Sequence, residues 1–353
     1  MENTNEKKGL KKTAKKIGSF FSSVRRKIAD IFGKVNKALL PLKENKIVAE
    51  VMPVAFLGLL FLFFVITTRG KILKPATLKI IIDQALICAT VATGASFIFS
   101  TGNINIAMGS STALTCTIAA KVYMATSSVP LMFIAAIAFG TILLICCALL
   151  STVLNVKVMF VTIVMMVMLS AIHETILGAG GITLPFAMTK ALKTAGVNYI
   201  LFGAYVLACI VIFHFTAVGR KLKMTGSNAT CAEQTGITSK KSLLTAFVIA
   251  GVGVGCGALL TLIRTSSVGE TTCNDLNMNC MLAIVLGGMP VFGGSKSKAY
   301  SALIGSVTVT LLGTGLLMIG VDSTILQAVR GVIFLVLVIL GTKRPKLLPT
   351  REG

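Results

Sequence analysis

LKIIIDQALICATVATGASFIFSTGNINIAMGS, residues 78–110, decides how the chain is read. From Leu78 to Ser100 the run is apolar and long enough to cross about 30 Å of hydrocarbon as a helix. It then breaks into Thr101–Ser110, where Gly102, Asn103, Asn105 and Gly109 interrupt the apolar pattern before another apolar run begins. Irregular backbone at membrane depth survives only where protein or a water-filled cavity satisfies its amides and carbonyls. The stretch therefore predicts a membrane span that leads into a broken helix.

The same reading extends along the chain. Of 353 residues, 55% are hydrophobic and 13% charged, and the mean hydropathy of +0.89 is too high for a soluble domain. We read ten spans: Val51–Thr68, Leu78–Ser100, Ser110–Thr126, Pro130–Thr152, Val158–Leu177, Tyr199–Ala217, Leu243–Ile263, Cys280–Phe292, Tyr300–Gly320 and Thr324–Gly341. The eighth is too short to cross alone and borrows the glycines beside it. The expected fold is an all-α membrane protein of about ten transmembrane helices, with an internal repeat and broken helices. Residues 1–50 form a basic N-terminal segment, 51–342 the membrane domain and 343–353 a tail.

A formal charge of +22 would suggest nucleic acid in a soluble protein. Here the cations sit in tails and connections, the pattern of topology signals and of contact with anionic membrane lipid, so no nucleic-acid partner is expected. In the first fifty residues Ile17, Phe20, Phe21, Val24, Ile28, Ile31, Phe32, Val35 and Leu39 follow helical spacing, and Lys and Arg fall largely on other faces. Such a helix suits the headgroup layer. With both termini in the cytoplasm, most of the remaining Lys and Arg also fall inside. The connection carrying Arg69, Lys71, Lys74 and Lys79 disagrees, and a span lost or gained there would invert everything after it.

One polar interlude lies deep in the chain: VGRKLKMTGSNATCAEQTGIT, residues 218–238. Arg220, Lys221 and Lys223 open it and Lys240 and Lys241 follow. Asn228 reads as an N-cap and Gly236 as a C-terminal stop around a short helix. A helix slung between two spans among cations suits a cytosolic partner; a solvated connection is the plainer alternative.

A second glycine-rich interruption, Gly287–Ser295 (GGMPVFGGS), follows the eighth span as Thr101–Ser110 follows the second. Matching interruptions in two halves point to a repeat, with a pathway where the helices break; two ordinary turns would also fit. Gly251, Gly253, Gly255 and Gly257 make overlapping GxxxG pairs for close helix packing.

Enzyme signatures are missing. GGMPVFGGS has the outline of a phosphate loop, but Gly294 stands where a lysine is required. The nine cysteines lie mostly in apolar runs without a CxxC pair and read as small buried hydrophobes; only Cys273 and Cys280 could meet outside the membrane. No metal, cofactor or catalytic residue is expected. His173 and Glu174 could border a path, hold a proton or reach the interface, Arg330 poses the same choice, and His214 reads as interfacial. No span shows a carboxylate convincingly placed near the bilayer centre, which argues against a proton-coupled carrier.

Three motifs, in order, resemble one family. TGNINIAMGSSTALTCTIAA (101–120) is similar to the TGGIDLSVGS segment of ribose- and galactose-type permease subunits of bacterial ABC importers. VGRKLKMTGSNATCAEQTGI (218–237) resembles their GRxxxAxGGNxxAAxxSGI loop, and AIVLGGMPVFGGSKSKAYSALIGSV (283–307) their VLGGxSLxGGxGxxxGxxxGA. VRGVIFLVLVIL (329–340) fits their last span. The likeness runs from about Leu78 to Gly341; the N-terminal segment lies outside it. It implies a permease subunit without catalysis of its own, importing a simple sugar across the cytoplasmic membrane. Nucleosides or branched-chain amino acids are the alternative cargo. Implied partners are a cytoplasmic ABC ATPase, an extracytoplasmic sugar-binding protein and a second permease copy or paralogue. The ATPase would dock on Arg220, Asn228, Ala232, Glu233 and Gly236. Gly102, Asn103, Asn105, Met108, Gly109, Ser110, Gly287, Gly288, Gly293 and Gly294 would border the substrate path. Asn105 replaces the family's aspartate, Asn103 a glycine, Cys231 sits among the docking alanines, and His173 stands where an arginine is common. A lone secondary carrier and a membrane-embedded enzyme are the rival classes.

Overall fold

The computed structural model describes residues 46–178, 180–290 and 293–341. The chain divides into two units. The first, Met1–Met52 with Lys343–Gly353, lies almost wholly outside the described residues, as does the expected basic helix; the architecture below is that of the second, Pro53–Thr342.

Thirteen α-helices are described: α1 (Lys46–Thr67), α2 (Pro75–Ser100), α3 (Met108–Thr126), α4 (Val129–Val153), α5 (Val158–Leu177), α6 (Phe186–Thr194), α7 (Val197–Phe215), α8 (Ala217–Ser227), α9 (Ala229–Gln234), α10 (Ser239–Thr265), α11 (Leu276–Leu286), α12 (Ser301–Met318) and α13 (Ser323–Gly341). A two-residue ribbon, β1 (Ile182–Thr183) on β2 (Ser267–Val268), pairs antiparallel. Nine of the ten apolar runs fall on α1–α5, α7, α10, α12 and α13; the eighth, expected over Cys280–Phe292, instead lies on α11, which begins at Leu276 and ends at Leu286 before the glycines, and the fold is that of an all-α membrane protein. Six of these helices, α2, α4, α5, α7, α10 and α12, are long and apolar enough to cross a membrane. In α1, α11 and α13 the apolar stretches are shorter, and α3, rich in Ser and Thr, is buried from Met108 to Thr117 among other helices. The cationic connection after α1 forms a turn, a 3₁₀ helix at Lys71–Leu73 with Ile72 fully buried, and α2 begins at Pro75 as a separate helix.

The centre is a pair of helices. In α2 and α10, 78% and 83% of the apolar window is buried, against 28% in α4 and α7, so the first pair forms the core and the others face outward. The glycines of α10 explain the packing. A Cβ on Gly251 or Gly255 would strike the α4 backbone at Thr141 or Ile137, whereas one on Gly253 or Gly257 would meet Tyr205 of α7 or Val91 of α2. Successive GxxxG pairs thus face different sides, α4 against one pair and α7 and α2 against the other. The Tyr205 hydroxyl donates to the Ile249 carbonyl at 3.0 Å.

Gly94 meets Ala250 while Val91 meets Gly257, so α2 and α10 run antiparallel. Around them the packing repeats: α4 lies along α10 as α12 lies along α2, and α3 rests on α10 as α11 rests on α2. This is a five-helix unit, α1–α5, matched in the same chain order by α7 and α10–α13, with the central helices α2 and α10 running in opposite directions. By that order the counterpart of residues 101–107 is 266–275, while 287–300 takes the place of the turn at 127–128. The two glycine-rich segments nevertheless meet, as described below.

Candidate functional site

At one end of the bundle α7 passes into α8 and α9. A Cβ on Gly219 would overlap the Phe213 carbonyl, so only glycine lets the chain turn there. Thr216 caps α8 by accepting from Val218 N at 3.2 Å, and Asn228 caps α9 by accepting from Cys231 N at 3.2 Å. Gly236, at φ +83°, ends α9, and its amide donates to the Glu233 carbonyl at 3.0 Å. Of the residues expected to dock a partner, Arg220, Asn228, Glu233 and Gly236 are exposed; Ala232 is buried beneath them. A shallow groove of about 450 Å³ runs between α8 and α9, lined by Arg220, Met224, Asn228, Cys231 and Ser295 among others.

This element is fastened to the core. Phe213 packs edge-on against Phe97 of α2 at 5.1 Å between ring centres, and the Lys223 ammonium lies over the Phe213 ring, 4.5 Å from its centre. Partial burial pulls the Lys223 pKa below its ordinary value. Gly226 abuts the Ser100 carbonyl at the C-terminus of α2. Gly294 N donates to that carbonyl at 3.2 Å, and Ser295 N donates to Ser227 Oγ at 2.9 Å. A Cβ on Gly293 would collide with the Phe99 carbonyl and come within 2.8 Å of Gly102 N. The end of α8, the end of α2 and the 293–295 turn therefore form one knot, which joins the polar interlude to both glycine-rich segments.

The first of those segments runs from exposed Gly102 into the interior. Asn105 is 1% exposed; its Oδ1 accepts from Ala107 N at 2.8 Å and its Nδ2 lies 3.5 Å from Met108 Sδ. Asn103 donates to Thr101 Oγ1 at 3.1 Å, and Ser110 donates to the Ala107 carbonyl at 3.2 Å. Gly109 N donates to Asn277 Oδ1, so the N-termini of α3 and α11 face each other in the interior. Gly287 packs against the Ser301 carbonyl and Gly288 beside Pro53, away from that meeting point. The structure thus divides the ten expected path residues: Asn105, Met108, Gly109 and Ser110 at the buried junction, Gly102, Asn103, Gly293 and Gly294 at or near the knot, Gly287 and Gly288 with neither.

His173 is buried at 2% exposure, its Nε2 3.2 Å from the Gly269 carbonyl and its Nδ1 2.7 Å from Thr117 Oγ1. A carbonyl only accepts, so Nε2 carries hydrogen and both ring nitrogens are satisfied. Glu174 beside it is exposed. His214 stacks on Tyr300 at 5.8 Å. Cys273 and Cys280 are free thiols, and among the described residues no group of His, Cys, Asp and Glu could hold a metal ion.

Two charged clusters were not apparent from sequence. Asp83, in the run first quoted, is 9% exposed; Lys193 of α6 reaches its Oδ2 at 3.5 Å, and Oδ1 has no partner. Arg330 of α13 pairs with Asp275, just before α11, at 2.9 Å. A carboxylate in the second span and an arginine in the last were the available signals, but their partners lie far away in sequence.

Comparison with known proteins gives a consistent likeness. Residues 77–340 match the family described as branched-chain amino acid transport system / permease component. The chain is 24% identical over 280 residues to the ribose import permease RbsC of Escherichia coli, covering 75% of this chain and 85% of that protein. It is 26% identical over 308 residues to RbsC of Bacillus subtilis, covering 82% and 92%. Against the galactofuranose transporter permease YtfT of Escherichia coli it is 22% identical over 276 residues, covering 75% and 79%. The probable ABC transporter permease protein YphD of Escherichia coli is 32% identical over 146 residues, covering 41% of this chain and 42% of that protein. No solved structure matches.

Proposed function

This chain belongs to the branched-chain amino acid transport permease family, and from that premise we propose that it is the membrane-spanning subunit of an ATP-driven importer for a simple sugar. The names of the full-length relatives, ribose and galactofuranose permeases, favour a sugar over the nucleosides or branched-chain amino acids the family resemblance left open. The chain acts with a separate cytoplasmic ATPase, an extracytoplasmic binding protein and a second permease copy, and both of its termini lie in the cytoplasm.

One observation carries the mechanism: the knot of Gly226, Ser227, Ser100, Gly294 and Ser295. The ATPase grips α9 and the groove beside it, through Glu233, Arg220 and Asn228. Movement of that hairpin passes through the knot to the end of α2, and through α2 to the junction where α3 and α11 begin. A partner that binds its nucleotide-loaded and empty forms to different hairpin positions shifts the permease between two conformations by its differential affinity. The chain itself performs no bond chemistry.

The test is ATP-dependent uptake in proteoliposomes holding the permease, its ATPase and its binding protein. Glu233→Lys and Gly236→Trp are expected to assemble yet lose at least about tenfold in sugar carried per ATP hydrolysed. Uptake by the permease alone, without the ATPase, would instead establish a secondary carrier. A tag at Thr230 labelled by an impermeant reagent from outside intact cells would overturn the reading.

A further inference from the structure

Asp275 sits at the N-terminal end of α11, beside the point where α3 also begins. Its carboxylate is fixed on both oxygens: Arg330 Nη1 lies 2.9 Å from Oδ2, and Gln327 Nε2 donates to Oδ1 at 3.1 Å. Gln327 and Arg330, three apart on α13, share a helix face. The guanidinium is seated over Gly313 of α12, where a Cβ would come within 2.9 Å of Nη2. Arg330 is 6% exposed and its Nε and Nη1 have no hydrogen-bond partner, the latter meeting Asp275 as an ion pair, while the Asp275 side chain is 49% exposed.

These facts belong together. Arg330 is the eighth residue of α13, about 10 Å along the helix from its start. A half-exposed carboxylate held at that level would be costly against lipid, so its open side faces water or protein. A carboxylate oxygen offers two acceptor positions, and one hydrogen bond on Oδ1 with an ion pair at Oδ2 leaves positions free on both. Two fixed acceptors side by side match the vicinal hydroxyls of a neutral polyhydroxylated solute. The pair is also far from the α8–α9 hairpin in the chain.

We propose that Asp275, set in place by Arg330 and Gln327, is a solute-contacting group on the translocation path that accepts hydrogen bonds from the hydroxyls of a sugar. The assignment rests on the sugar-importer reading and deepens it by naming the group that recognises the cargo within the permease. Arg330 and Gln327 are positioning residues, acting through the carboxylate.

The experiment uses the complete complex in proteoliposomes with ribose, galactose and glucose as radiolabelled probes, followed by the deoxy analogues of whichever is carried. Asp275→Asn should leave assembly with the ATPase and its stimulation by loaded binding protein within about twofold of wild type. The preference for the parent sugar over a deoxy analogue should fall about tenfold, the loss of one hydrogen bond to a charged acceptor. Gln327→Leu, which leaves the ion pair in place, should shift the same ratio in the same direction. The exchange Asp275→Arg with Arg330→Asp keeps the ion pair but moves the carboxylate. It should restore assembly and thermal stability where Asp275→Arg alone or Arg330→Asp alone loses them, yet leave sugar discrimination low. Wild-type discrimination in Asp275→Asn, or full recovery of discrimination in the exchanged pair, overturns the assignment. A wild-type complex that imports none of the three probes overturns the sugar reading itself, and is distinguished from failure at Asp275 by that absence of any uptake.

Discussion

The two glycine-rich segments look alike in sequence and are built differently. Residues 101–107 run inward from the knot and end on side-chain hydrogen bonds, with Asn105 buried and its side-chain carbonyl accepting from Ala107 N just before α3. Residues 293–295 are held by main-chain contacts to the end of α2 and by the hydrogen bond from Ser295 N to the Ser227 hydroxyl of α8, and Ser295 is exposed. The first reads as a fixed joint and the second as a link between moving parts. Glycine serves different needs in each: at 109 it admits the backbone of another helix start, and at 294 it supplies φ +94°.

Substitutions can break that contrast. The largest effect is expected from Gly226→Val, whose side chain would collide with the Ser100 carbonyl and push α8 away from α2. Overpacking of this kind costs roughly 1–3 kcal/mol, and proteoliposome assays should show ATP hydrolysis continuing while uptake falls at least about tenfold. Asn105→Ala removes the buried acceptor from Ala107 N and should destabilise the protein by about 1 kcal/mol, read as a lower melting temperature in detergent with coupling unchanged in the surviving protein. A coupling defect without loss of stability would mean that the first segment also moves. Ser227→Ala removes a single bond from Ser295 N and is the mildest, about 1 kcal/mol or less. It should lower the sugar carried per ATP severalfold and leave the melting temperature within about 2 °C of wild type. If it affects melting alone, the link is structural.

Much of this was legible beforehand. The apolar runs mark the ten helices because a span must be both long and apolar, and Asn228 and Gly236 mark α9 because capping is local. The glycine ladder of α10 announces close packing through the spacing of its residues, although not which helices would use it. Asp83 was missed for a physical reason: its cation comes from α6, more than a hundred positions along the chain. Asp275 and Arg330 could each be seen in sequence, but their pairing could not.

The sequence by itself determined that the chain crosses the membrane repeatedly, where its helices break and where a polar hairpin is presented, since these depend on hydropathy and local backbone chemistry. Only the tertiary structure decided which glycine faces which helix, that the hairpin grips the end of α2, and which carboxylates have cations. Those relations join residues far apart in the chain, and neither periodicity nor capping carries information across such distances.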